Sequence, residues 1–290
     1  TPDLGAPSLD ALRENDPDHY ISVGIAEQSL ISVSAGLALA GKNVVAYGLN
    51  PFPITRAYDQ IRSLLAEFSI PVTVCGLNTG FCSAESGYTH MALEDFAMVR
   101  ALGNIHIFNP TDETIAQMLA EATVTCKEPR YIRFDKTLRG VLYQRDEIDF
   151  SVGFTTYGSS AAQIILISNG CYVRPLRALA DEYAAKGIAV KCIDLYALPF
   201  NPIALKAEVS AGHQIITIEE NALPGGLGSC ILEFLSDQSL NIPVHRIGYD
   251  PRSEHFKVFT NQNYIAEHLG LDIAAVRHAI NDSLAKERKE

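Results

Sequence analysis

One acidic side chain stands where acids are costly. Glu27 follows Val23-Gly24-Ile25-Ala26 and precedes an apolar series, Leu30, Ile31, Val33, Ala35, Leu37 and Ala38, that ends at Gly41. The spacing predicts a mostly buried helix closed by the glycine, with the carboxyl at its mouth. A carboxylate among apolar neighbours costs free energy unless a partner neutralises it or it keeps its proton. The position suits a proton-transfer group, and it equally suits an acid that stabilises the positive end of a helix. His90 closes a glycine- and serine-rich stretch, residues 78–90, and its imidazole is suited to moving a proton near neutral pH. A capping or surface histidine fits the same place. Phe52 stands between Pro51 and Pro53 just after a strand-like run, where a ring face can be held open for stacking or packed down on a sheet. Arg133 lies at a strand end and suits either an anion contact or a structural ion pair. The Gly225-Gly226-Leu227-Gly228 run lacks dinucleotide and P-loop spacing and reads as a turn of close backbone approach.

These residues need elements to position them. Strands are predicted at 44–47, 71–75, 105–108 and 130–134, with helices over 28–40, 55–68, 91–102 and 112–123. A less periodic, mixed-charge connection covers 135–160. The alternation then resumes, with strands at 162–167, 189–195, 214–218 and 244–247 and helices at 173–186, 202–209, 227–235 and 273–286. Strands alternating with helices in both halves imply an α/β protein of two domains with mainly parallel sheets, placed here at 1–140 and 141–290. Such sheets bind ligands beyond the carboxyl ends of their strands, where Phe52 and the 78–90 loop fall and where Glu27 is also placed.

The bulk numbers remove several function classes. With 47% hydrophobic residues over 290 positions the chain can bury a full core, and a formal charge of −11 argues against a nucleic-acid backbone as partner. No apolar run is long enough to span a bilayer and no signal-peptide pattern is present, so a cytoplasmic protein without membrane contact is expected. The six cysteines are scattered without a CxxC pair, so reduced core thiols are expected rather than a metal site.

The ordered motifs Val-Gly-Ile-Ala-Glu-Gln (23–28), Arg-Ala-Tyr-Asp-Gln-Ile-Arg (56–62) and Gly-Tyr-Thr-His-Met-Ala-Leu-Glu-Asp (87–95) resemble transketolase. Asn-Pro-Thr-Asp-Glu (109–113), Glu219-Glu220 and Pro-Gly-Gly-Leu-Gly (224–228) continue the likeness along essentially the whole chain. The resemblance implies the pyrimidine-binding and C-terminal domains of a thiamine-diphosphate enzyme. Glu27 would then hydrogen-bond N1′ of the cofactor's aminopyrimidine and help it take the C2 proton of the thiazolium, the hard chemistry being the cofactor's. By the same carry-over Phe52, one residue out of register with the usual pattern, stacks on the pyrimidine. Asp3, Leu4 and Ile25 line the thiazolium, His90 meets donor-sugar hydroxyls, and Arg133 binds a substrate phosphate.

Two positions depart from the pattern. Ser86 stands where an aspartate reads a sugar hydroxyl, and Asn78 where a histidine contacts phosphate, so an altered donor or acceptor is expected. The sequence also lacks a Gly-Asp-Gly segment followed by asparagine, which in the family holds Mg²⁺ and the diphosphate. The resemblance therefore implies the smaller subunit of a split transketolase. Its partner, an N-terminal diphosphate-binding subunit, would hold Mg²⁺, and the two would pair into a heterotetramer. A 1-deoxyxylulose-5-phosphate-synthase-like enzyme, a 2-oxo acid dehydrogenase β-like subunit and a non-catalytic scaffold subunit remain as alternatives.

Overall fold

The computed structural model describes residues 1–2, 5–136, 140–253 and 260–287. Its strands fall into two five-stranded sheets. In the first, β1 (Val44–Leu49), β2 (Val72–Leu77), β4 (Arg130–Phe134) and β3 (His106–Phe108) run parallel in that spatial order. The second contains β10 (Val244–Tyr249), β9 (Gln214–Ala222), β6 (Ile164–Ser168) and β7 (Val190–Asp194), also parallel, with β5 (Thr155–Gly158) antiparallel at its edge. The central strands are apolar on both faces because helices cover both sides, as parallel sheets require: every residue of β6 and β7 is buried. A two-residue strand, β8 (Ala197–Leu198), leaves the second half and pairs antiparallel with β3. The two domains are therefore joined by backbone hydrogen bonds as well as side chains.

The helix Glu27–Leu39 forms where the apolar spacing predicts it. Its end is sharp because Gly41 takes a φ of +83°, while the amides of Gly41 and Lys42 close back on Ala38 and Leu37. The helix is only half buried, however. Leu30, Ile31, Ser34, Ala35 and Ala38 pack inward, whereas Val33 is 40% and Leu39 73% exposed. Its apolar residues wrap around more of the helix than this chain covers.

Other elements depart from the sequence expectation. The 55–68 stretch is broken into Phe52–Thr55, Tyr58–Gln60 and a π-helical turn, Ile61–Ala66, and Phe68 points to solvent. Residues 91–94 are not helical: Ala92 pairs with Gly80 through two backbone hydrogen bonds, and the helix begins only at Asp95. Strands β5 and β8 and the helix Gln262–Leu269 lie outside the predicted set. Among the described residues the cysteines are free, and no helix is long and apolar enough to cross a membrane.

Candidate active site

At the carboxyl ends of adjacent strands β1 and β2 the chain turns out of the sheet. After β1 comes the buried Asn50, then the turn that presents Phe52, half-buried, at the start of Phe52–Thr55. Asn50 fixes this turn by donating from Nδ2 to the Tyr131 hydroxyl at 2.8 Å. Closeness is possible only because Gly76 faces it: a Cβ there would lie 2.3 Å from Asn50 Oδ1.

The loop after β2 is anchored from the second domain. Glu220 on β9 accepts the Phe81 amide at 3.2 Å through Oε2, while its Oε1 accepts from Gln262 at 2.7 Å. Burial, with the nearby Asp135 carboxylate adding to it, pushes the Glu220 carboxyl up to about 7. With Phe81 and Ala84 fully buried, the loop has a fixed base. It delivers His90 at the end of the turn Tyr88–His90, where Thr89 Oγ1 meets His90 Nδ1 at 3.0 Å.

Four side chains then converge. The rings of Phe52 and His90 meet edge to face with centroids 5.1 Å apart. Arg56, one helical turn beyond Phe52, lays its guanidinium over the Phe52 ring with Cζ 4.1 Å from the centroid. The same guanidinium donates from Nη1 to both oxygens of Glu27, at 3.0 and 3.2 Å. Glu27 is 6% exposed, so nearly all of its surface is committed to the protein, whereas the Arg56 side chain is 49% exposed. The arrangement offers a carboxylate edge, a ring face and an imidazole to one planar, N–H-bearing group. Arg56 is the member that sequence reasoning missed, although its spacing of four from Phe52 is the signal of a same-face contact on a helical turn.

The other sequence candidates fall elsewhere. Ile25, 75% exposed, lies two residues before Glu27. Asn78 is half-buried with a φ of +57° and turns its Nδ2 onto Ser83 Oγ at 3.1 Å. Ser86 is exposed at the end of the turn Ala84–Ser86. Asp3 and Leu4 lie outside the described residues.

The expected contact of Arg133 with a substrate phosphate is corrected. Arg133 is 2% exposed, and Asp95 takes its Nε and Nη2 at 2.7 and 3.1 Å. Asn109 takes Nη1 at 2.7 Å and Asn221, from the second domain, takes Nη2 at 2.6 Å. Burial opposes the charge on Arg133, but the Asp95 carboxylate outweighs it and raises the proton affinity above that of an ordinary arginine. Tyr131 donates to the same Asp95 at 2.6 Å and accepts from Asn50, so this network reaches the turn that presents Phe52.

The glycine-rich run is the close-approach turn its composition implies. Glu219 accepts the amides of Leu227 and Gly228 at 2.6 and 2.8 Å, and a Cβ on Gly226 would sit 2.3 Å from Glu219 Oε2.

Comparison with known proteins places these features in context. Residues 4–140 match the family described as "Transketolase, pyrimidine binding domain" and residues 156–269 that described as "Transketolase, C-terminal domain". One of the two subunits of an apulose-4-phosphate transketolase from Actinobacillus succinogenes is 31% identical over 80% of this chain and 75% of its own length. A "1-deoxy-D-xylulose-5-phosphate synthase" from Cyanothece sp. is 32% identical over 83% of this chain but only 38% of its own length. A solved structure described as "Split gene transketolase, inactive beta4 tetramer" superposes with a TM-score of 0.85 at 26% identity, covering 98% of this chain and 91% of that one.

Proposed function

The chain belongs to the transketolase family, and we propose that it is the pyrimidine-holding subunit of a split, thiamine-diphosphate-dependent transferase that moves a two-carbon ketol unit between sugars or sugar-like molecules. The observation that carries this reading is the nest formed by Glu27 and Phe52. A planar group with N–H donors on its edge already lies in it, bonded to the carboxylate and stacked on the ring. An aminopyrimidine has that shape and that donor pattern, so the residues present fit the cofactor.

When bound, thiamine diphosphate supplies a carbon nucleophile that also stores the electron pair left when the ketol fragment is cut from its donor. Glu27 holds a proton at ring nitrogen N1′, at a point where few water molecules compete for it. Phe52 fixes the plane of the ring, and the Asn50–Tyr131–Asp95 chain of hydrogen bonds fixes Phe52. His90, packed against Phe52, is placed to hydrogen-bond the donor sugar's hydroxyls and to exchange protons with them. Residues 1–140 carry these roles, and residues 141–290 support them through Glu220 and Asn221. Asn78 and Ser86, in the loop that carries His90, select the substrate.

A partner subunit is part of the reading. Ile21 and Ile25, 46% and 75% exposed, precede Glu27, and Val33 lies on the uncovered side of its helix. Apolar side chains grouped at the mouth of a site suit an interface rather than water. The relatives' names, one a transketolase subunit and the other a split-gene transketolase, agree with that. We assign Mg²⁺ and the diphosphate to the partner, along with completion of the thiazolium contacts that Ile25 begins, and symmetric pairing of two such units into a heterotetramer. The similarity to 1-deoxy-D-xylulose-5-phosphate synthase supports a second reading, ligation with loss of CO2; release of CO2 from pyruvate by the complex would select it.

Glu27→Ala tests the assignment. The variant complex should assemble normally and lose about 10²- to 10⁴-fold in turnover, the usual worth of a positioned proton-transfer group. Unchanged turnover would remove Glu27 from the mechanism.

A further inference from the structure

Arg56 holds both contacts that the proposed function gives to the aminopyrimidine. Its Nη1 engages the two oxygens of Glu27 at 3.0 and 3.2 Å, and its planar face lies on Phe52 at 4.1 Å. Two groups cannot share one carboxylate edge and one ring face, so the side chain and the cofactor ring compete for the same seat. We infer that Arg56 is an affinity-determining residue of the pyrimidine seat: it occupies that seat before the cofactor enters and must be displaced from Glu27 and Phe52 for the cofactor to bind.

Three features make the exchange feasible. The guanidinium is planar and delocalised, so it satisfies the acid and the aromatic face together, which an ammonium does not. Glu27 is nearly fully buried and would be left without a partner if the seat were vacated; Arg56 supplies one. The Arg56 side chain is half exposed, so it can leave by rotating toward solvent without disturbing the core. Its backbone is already tied down, with the amide donating to the Phe52 carbonyl at 3.1 Å, so the motion is confined to the side chain. The inference rests on the thiamine-diphosphate reading and adds a competitor to it.

The test is calorimetric titration of thiamine diphosphate with Mg²⁺ into the assembled complex carrying wild-type chain, Arg56→Gln, Arg56→Lys or Glu27→Gln. Removing a half-exposed ion pair and a cation–aromatic contact that the ligand must break should tighten Kd for Arg56→Gln by roughly threefold to thirtyfold. Arg56→Lys, which keeps the charge but not the planar face, should fall between Gln and wild type, and Glu27→Gln should weaken binding. An Arg56→Gln complex that binds no more tightly than wild type overturns the inference while leaving the thiamine reading intact. Failure of every form to bind thiamine diphosphate overturns both. On the chain alone, a double-mutant cycle between Glu27→Gln and Arg56→Gln should show coupling of about twofold to fivefold in the unfolding equilibrium. Strictly additive effects there would remove the contact itself, and the inference with it.

Discussion

Arg133→Met separates a structural arginine from a substrate-binding one. The substitution keeps the volume of the side chain and deletes its charge. It strips Asp95 of two hydrogen bonds and takes from Asn109 and Asn221 the donors that satisfy their carbonyl oxygens. Asp95 is 0% exposed, so the orphaned carboxylate cannot recover its losses from water, and Tyr131 is left as its side-chain donor. Breaking a buried pair from one side costs about 3–5 kcal/mol, because the surviving charge stays desolvated. In a chain of this size that corresponds to a fall in Tm of roughly 6–15 °C. Thermal unfolding of the purified chain, followed by circular dichroism, reads the shift. Adding Asp95→Asn to the same chain should recover part of it, since the charge that suffers is then gone. A variant that melts with the wild type while raising KM for a phosphorylated substrate would refute the structural role and return Arg133 to the active site.

Two further outcomes follow from the same structure. Glu220 has an ordinary value of 4.5 raised to about 7 in the fold, so between those pH values the folded chain keeps a proton that the unfolded chain has lost. Stability from this group is therefore highest below about pH 4.5 and falls by about 3 kcal/mol as pH rises to about 7. Urea unfolding at several pH values should show a shallower decline for Glu220→Gln than for wild type, and identical slopes would contradict the assignment. Ser86→Asp should raise kcat/KM of the complex for a common ketose phosphate by about tenfold or more, the worth of one hydrogen bond to a charged group. An unaltered substrate profile would mean that Ser86 does not face the sugar.

Local pattern sufficed for some elements and not for others, for identifiable reasons. The helix beginning at Glu27 and the strands around it were legible because apolar spacing and a terminal glycine act locally. Which face of that helix is buried was not, since Val33 and Leu37 carry the same pattern whether the cover is this chain's core or another chain. Residues 91–94 have helical composition but are held extended by the pairing of Ala92 with Gly80, a long-range preference that outweighs propensity. Arg133 was placed correctly on a strand, yet its partners lie 38 and 88 residues away at Asp95 and Asn221. Nothing local announces them. The π-helical turn at Ile61–Ala66 is likewise set by packing rather than by residue type. At the site, the motifs identified Glu27, Phe52 and His90 as candidates, while Arg56 passed as one more polar residue after a turn.

The central claim is that this chain supplies only half of a cofactor site. Calorimetric titration of thiamine diphosphate and Mg²⁺ into the chain alone, and into the chain mixed with a diphosphate-binding partner subunit, tests it most directly. The account predicts no measurable binding to the chain alone and saturable binding to the mixture. Tight binding to the isolated chain would contradict it.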